Sequence, residues 1–211
     1  MAEFIYLASQ SPRRRQLLEQ IGVRLELLLP GDADAAEALE SERAGEAPAA
    51  YVRRVTRLKL DAAVQALHAR RLPPAPLLCA DTTVALGRRI LAKPRDADHA
   101  ACMLRQLSGG THRVLSAVAL QRGDWRGEAL STSRVRFAVL SDADIADYIA
   151  SGEWDGKAGA YAIQGRAARF IEHISGSYSG IMGLPLFETA ALLRQAGWRG
   201  NENQRTCSRT S

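Results

Sequence analysis

The feature that most narrows the possible folds is the alternation, from the N-terminus onward, of short apolar runs with amphipathic stretches. "FIYLA" (Phe4–Ala8) is short and apolar throughout, which fits a strand buried on both faces. Ser11 and Pro12 then supply an N-cap and a proline at the first helical position. Leu17, Leu18 and Ile21 share one face of the helix that follows, and Gly22 stops it. "VRLELLL" (Val23–Leu29) reads as a second strand, and residues 30–46, acidic and rich in Ala and Gly, read as a loop. A long helix is expected from about Pro48 to about Ala69, ended by "RRLPPAP". "LLCA" (Leu77–Ala80) reads as a short buried strand, and "TVALGRRILA" (Thr83–Ala92) as a hairpin turning near Gly87. A helix from Asp96 to Leu107 follows, ending at "SGG". Thr111–Arg122 and Glu128–Leu140 read as two long antiparallel strands across "GDW". Ser141 caps a helix through Ala150, with Asp144 completing a capping box. "GKAGAYAIQGRAARFI" reads as strand-like and Gly-punctuated, and "GLPLFETAALLRQAG" as the last amphipathic helix. Strands alternating with helices imply an α/β fold with mixed pairing. No repeat or linker divides the chain, so one domain is expected over residues 1–200, followed by a polar, disordered tail at 201–211.

The bulk properties exclude more than they select. The formal charge of +5 suits a polyanionic small molecule but does not require one. The three cysteines, Cys79, Cys102 and Cys207, have no CxxC spacing, so no disulfide framework is indicated. The N-terminal run lacks the cationic start of a signal peptide, and no apolar segment approaches a membrane span. A cytoplasmic location is therefore expected, with no membrane partner. Basic patches with interleaved aromatics are absent, so no nucleic-acid partner is expected. The four histidines show no metal-ligand spacing.

Three stretches can carry chemistry. In "LASQSPRRRQLL" three arginines crowd a helix start, where they oppose the macrodipole. Free N–H groups and guanidinium forks there can bind phosphate. The alternative is that Ser11 is only a cap and the arginines are solvated. In "CADTTVALGRRILAKPRD", Asp81 follows a buried strand and Lys93 lies beyond the hairpin. A carboxylate and a lysine so placed suit metal-assisted phosphate chemistry; the competing reading is a structural ion pair or an Asx turn. In "GKAGAYAIQG", Gln164 can donate and accept at once, which suits the imide edge of a pyrimidine; a Gly-rich strand corner is the competing reading. Lys59, on the long helix, reads as part of a solvated face.

Taken together and in order, "LASQSPRRRQLL", "ADTTV", "ILAKPRD", "MLRQLSGGTHRV", "YIASGEWDGKAGAYAIQG" and "GSYSGIMGLPLFET" resemble the Maf family of nucleoside triphosphate pyrophosphatases over roughly residues 4–197. The resemblance implies a single elongated α/β domain, Maf/Ham1-like, with a mixed central sheet flanked by helices and a long substrate cleft. It implies hydrolysis of a nucleoside triphosphate to the monophosphate and pyrophosphate with a divalent cation, Mg²⁺ or Mn²⁺. By position, Asp81 matches the proton acceptor and a metal contact, Lys59 and Lys93 the phosphate-binding lysines, and Ser9, Arg13 and Arg14 the anion-binding turn. Arg15 falls where the family fixes nothing. Arg13, Thr82 and Gln164 match the dTTP/UTP branch rather than the 7-methyl-GTP branch. Asp34 stands where relatives carry a Glu near a possible metal position, and Gly156 where relatives carry Asp. The resemblance further implies a homodimer, a role in clearing unwanted nucleotides, and a link to septum formation and arrest of cell division. A non-catalytic nucleotide-sensing regulator is the alternative from another class.

Overall fold

The computed structural model describes residues 4–29 and 38–198. Among them, seven strands form one mixed sheet: β1 (Ile5–Leu7), β2 (Leu25–Leu27), β3 (Leu77–Leu86), β4 (Arg89–Leu91), β5 (Thr111–Arg122), β6 (Trp125–Phe137) and β7 (Ile171–Ser175). The sheet runs in the order β2-β1-β3-β5-β6-β7, with β4 paired to β3. The helices are α1 (Pro12–Gln20), α2 (Pro48–Ala69), α3 (Ala97–Leu107), α4 (Asp142–Ala150), α5 (Tyr178–Met182) and α6 (Leu186–Gln195). The mixed α/β architecture expected from the alternation is present. No helix among the described residues is long and apolar enough to cross a membrane.

Strand β3 carries the consequence of its own alternation. Leu77 and Cys79 pack with Leu60 and Ala63 of α2, whereas Leu78 and Ala80 pack on the other face with Leu17, Leu18 and Leu192. The same period of two sends Asp81 toward α2 and Thr82 toward α1. Farther along, Ala85 meets Tyr51, Val52 and Val55 of α2, and Val84 joins a second core with Leu104, Val135 and Tyr148. Helix α2 thus covers one face along its length, while the other face is divided between two helical clusters.

The sheet is also split. On one edge β3 pairs with β5 from Leu77 to Ala85. The opposite edge is shared: β1 pairs in parallel at Leu77 and Leu78, and β4 pairs antiparallel from Val84 to Leu86. Residues 79–83 have no strand neighbour on that edge among the described residues, so the sheet forks there.

Several expectations need correction. The strand expected to end at Ala80 continues to Leu86, because β5 supports it throughout, so Asp81 is mid-strand rather than beyond a strand end. Strand β2 is confined to Leu25–Leu27. The β5–β6 turn is tighter than expected: Trp125 already pairs with Arg122, and β6 ends at Phe137. The stretch from Gly156 to Phe170 is not a strand. It forms two 3₁₀ turns, Ala158–Ala160 and Arg166–Phe170, and pairing resumes only at Ile171. Its positive φ angles at Gly156, Gly159 and Ala160 are incompatible with an extended chain. A short helix, α5, also forms within "GSYSGIM". Asp34 and the tail at 201–211 lie outside the described residues.

Candidate active site

The fork in the sheet opens into a cleft of about 760 Å³, within the range of small-molecule sites, roughly 300–1,000 Å³. Asp81 and Thr82 sit at its floor, facing opposite sides of the sheet, so the cleft draws side chains from both faces.

On the α2 side, the Lys59 ammonium donates to Asp81 Oδ1 at 2.6 Å and to Glu40 Oε1 at 2.7 Å. Glu40 Oε2 accepts from Lys93 at 3.3 Å. Burial works against the charge on Lys59, but Asp81 and Glu40 outweigh it and raise its pKa above the usual lysine value. Burial likewise pushes the Glu40 carboxyl up, yet the charges and hydrogen bonds of Lys59 and Lys93 hold it below the usual carboxylate range. Both groups are therefore ionised around neutrality. The solvated face expected for Lys59 is corrected by the structure: its side chain is 19% exposed. The reason lies in the helix period. Val52, Val55, Thr56, Leu60 and Ala63 are buried, and position 59 falls within that stripe.

On the α1 side, the arginines turn back toward the cleft. Arg13 Nε donates to the Met182 carbonyl at 3.2 Å, and Arg14 Nε to the Gly183 carbonyl at 2.9 Å. Arg14 also donates to Ser9 Oγ at 3.1 Å and reaches Thr82 Oγ1 at 3.5 Å. Thr82 is fixed in turn by Ser116, 2.8 Å away, whose hydroxyl donates to the Gly180 carbonyl at 2.6 Å. Gly183 has φ +128°, a conformation L side chains rarely adopt, and this aims its carbonyl at Arg14. Burial lowers the pKa of Arg14 and, with the charge of Arg14, that of Arg13. Ser11 occupies the N-cap position of α1 but makes no side-chain cap bond; its N–H is accepted by Ser9 Oγ at 3.2 Å. Arg15 faces outward and pairs with Glu19 at 2.7 Å, as a surface residue should.

The structure therefore brings together Ser9, Arg13, Arg14, Lys59, Asp81, Thr82 and Lys93. Gln164 is exposed and outside the lining, although Tyr161 and Ile163 beside it line the cleft. Two charged lining residues, Glu40 and Lys157, carry no signal in the sequence. Glu40 lies in an acidic stretch that also holds Glu37, Glu42 and Glu46, and no local pattern separates one glutamate from the others. Lys157 lies in the Gly-punctuated stretch that was read as a strand.

Oxygen donors are available for a divalent cation. Asp81 and Glu40 converge on one ammonium, and among the described residues no group of three or more His, Cys, Asp or Glu forms a closed metal cage. Two carboxylates with the remaining positions left to phosphate and water is the arrangement Mg²⁺ favours.

A family model described as "Maf-like protein" matches residues 4–196. The dTTP/UTP pyrophosphatase of Polaromonas sp. is 65% identical, covering 93% of this chain and 97% of the relative. That of Albidiferax ferrireducens is 64% identical, over 94% of this chain and 100% of the relative. That of Ralstonia nicotianae is 64% identical, over 91% and 93%. Among solved structures, a Ham1 protein of Staphylococcus aureus is similar at a TM-score of 0.40 and 12% identity, covering 64% of this chain and 71% of that one.

Proposed function

We propose, because this chain belongs to the Maf family, that it hydrolyses dTTP and UTP to the nucleoside monophosphate and pyrophosphate. The observation that carries the reading is the meeting, across the fork in the sheet, of a lysine–carboxylate set with a pair of arginines that, among the described residues, have no carboxylate partner. The first set suits activation of water and the second suits a polyphosphate.

In this reading Lys59 holds one oxygen of Asp81 and leaves the other to take a proton from water as it attacks the α-phosphorus. Arg13, Arg14 and Lys93 stabilise charge that builds on the phosphate oxygens and on the departing pyrophosphate. Asp81 and Glu40 would hold a divalent cation, which when bound polarises phosphoryl oxygens. Arg13 and Thr82 lie in the cleft, and by family resemblance they select a pyrimidine together with Gln164. The family also supports a cytoplasmic homodimer that clears unwanted nucleotides, with a link to arrest of cell division.

The test is pyrophosphate release from dTTP, UTP, CTP, GTP and 7-methyl-GTP by the wild type and by Asp81→Asn. Turnover is expected for dTTP and UTP. It should fall by about 10²–10⁴-fold in the variant, with the protein still folded by circular dichroism. Preference for 7-methyl-GTP would move the chain to the other branch of its family, and binding without turnover would favour a nucleotide-sensing regulator.

A further inference from the structure

The cations of the cleft divide into two kinds. Lys59 and Lys93 are already neutralised by Asp81 and Glu40. Arg13 and Arg14 spend their Nε protons on backbone carbonyls and, among the described residues, form no ion pair. Lys157 is of this second kind: it lines the cleft, half-buried, and its ammonium donates to the Asp155 carbonyl at 2.7 Å.

The backbone holds Lys157 in place at some cost. The turn that follows it contains Gly159 at φ +69° and Ala160 at φ +63°, the latter fully buried and not a glycine. A left-handed alanine is strained and persists only where its surroundings over-determine it, as they often do at functional sites. Here the surroundings are explicit. The Gly159 N–H donates to the Ala92 carbonyl at 3.2 Å, tying the turn to the residue beside Lys93. The Tyr161 hydroxyl bonds to buried His112 at 2.7 Å. Both ends of the turn are therefore fastened to the far lip of the cleft, opposite α1.

We propose that Lys157 is a further substrate-binding residue, forming with Arg13 and Arg14 a subsite of unpaired cations that holds the β- and γ-phosphates. The pKa of Lys157 is consistent with this: burial first, and then the charge of Arg13, pull it below the usual lysine value, as expected for two cations sharing a space meant for an anion. The naming of the two phosphates rests on the hydrolase reading above. The division of labour does not: carboxylate-bound lysines lie on the α2 side of the fork, and on the other lie cations with no carboxylate partner among the described residues.

The experiment is calorimetric titration of inorganic pyrophosphate and, separately, of dTMP into the wild type, Lys157→Met and Lys157→Arg, alongside KM for dTTP. One charge-assisted hydrogen bond corresponds to roughly a 10- to 100-fold change in affinity. Pyrophosphate should bind that much more weakly to Lys157→Met and close to normally to Lys157→Arg, with dTMP binding unchanged in both. KM for dTTP should rise by a similar factor while kcat changes less. The proposal is overturned by pyrophosphate affinity in Lys157→Met within twofold of wild type, by equal loss of dTMP and pyrophosphate binding, or by a wild type that does not bind pyrophosphate. A wild type that binds pyrophosphate through Lys157 but does not turn over dTTP would sink the hydrolase reading and leave the subsite standing.

Discussion

Buried His112 sets an acid limit on the fold that can be worked out in advance. The residue is 1% exposed, Nε2 meets the Tyr161 hydroxyl, and Nδ1 has no hydrogen-bond partner among the described residues. Phe137 and Tyr161 lie edge-on against it. Protonation would place a charge in this apolar setting with one N–H unsatisfied, so burial lowers its pKa from 6.5 to about 4. The unfolded chain therefore takes up the proton first as pH falls. The stabilisation is complete above pH 6.5 and is lost progressively toward pH 4. Each pH unit within that window is worth about 1.4 kcal/mol, so going from pH 7 to pH 4.5 should remove roughly 2–2.5 kcal/mol through this residue. The assay is urea denaturation at both pH values for wild type and His112→Gln, whose amide can keep a bond to Tyr161 but does not titrate. Carboxylates contribute equally to both proteins and cancel in the double difference. A variant that loses as much stability as wild type between the two pH values would refute the argument.

Glu40→Gln should leave Lys59 and Lys93 without a shared anion, raise the Mg²⁺ concentration needed for half-maximal turnover, and lower kcat by at least about tenfold; a magnesium titration of dTTP hydrolysis checks this. Because the Glu40 pKa lies below its usual value, the stabilisation it provides is present above the ordinary carboxylate pKa and lost as pH falls through the lowered one. The acid unfolding limb should therefore be shallower in the variant. Gly159→Ala should destabilise by about 1–3 kcal/mol, since φ is +69° and a Cβ would lie 2.9 Å from Val84 Cγ1; an unchanged melting temperature by scanning calorimetry would exclude the strain. Gln164→Glu should reduce kcat/KM for dTTP and UTP by only about two- to tenfold, the value of an exposed hydrogen bond, and an unaltered preference across a triphosphate panel would remove Gln164 from base choice.

How far the sequence could be read depended on the range of the forces involved. The sheet and helices followed from local period and caps, and the Ser141–Asp144 capping box formed as expected. Lys59 was legible in principle, because a lysine inside the stripe Val52-Val55-Leu60-Ala63 must bury its ammonium against a carboxylate. Glu40 was not, because its role is set by lysines 19 and 53 residues away. The stretch at 156–170 misled because its apolar residues look like a strand, while its backbone obeys hydrogen bonds to Ala92 and His112 that no local pattern announces. Asp81, marked by its place after an apolar run, and Thr82, marked by the family resemblance, both lie at the floor of the cleft. That they serve opposite faces followed only once β3 was seen to continue past them.

The fork in the sheet separates what can drift from what cannot. The floor belongs to β3 and β5, whose nine paired positions fix Asp81 and Thr82 against any local change of loop. The two lips are anchored in different apolar clusters, one with Leu17 and Leu192 and the other with Leu104 and Tyr148. Each cluster also holds residues of that ladder, Leu78, Ala80 and Val118 in the first and Val84 and Val114 in the second, so a substitution on one lip is felt at one end of the ladder and not directly at the other. The scaffold is therefore divided along β3: one lip shares its core with the end at Leu78 and Ala80, the other with the end at Val84, and Asp81 and Thr82 sit between the two.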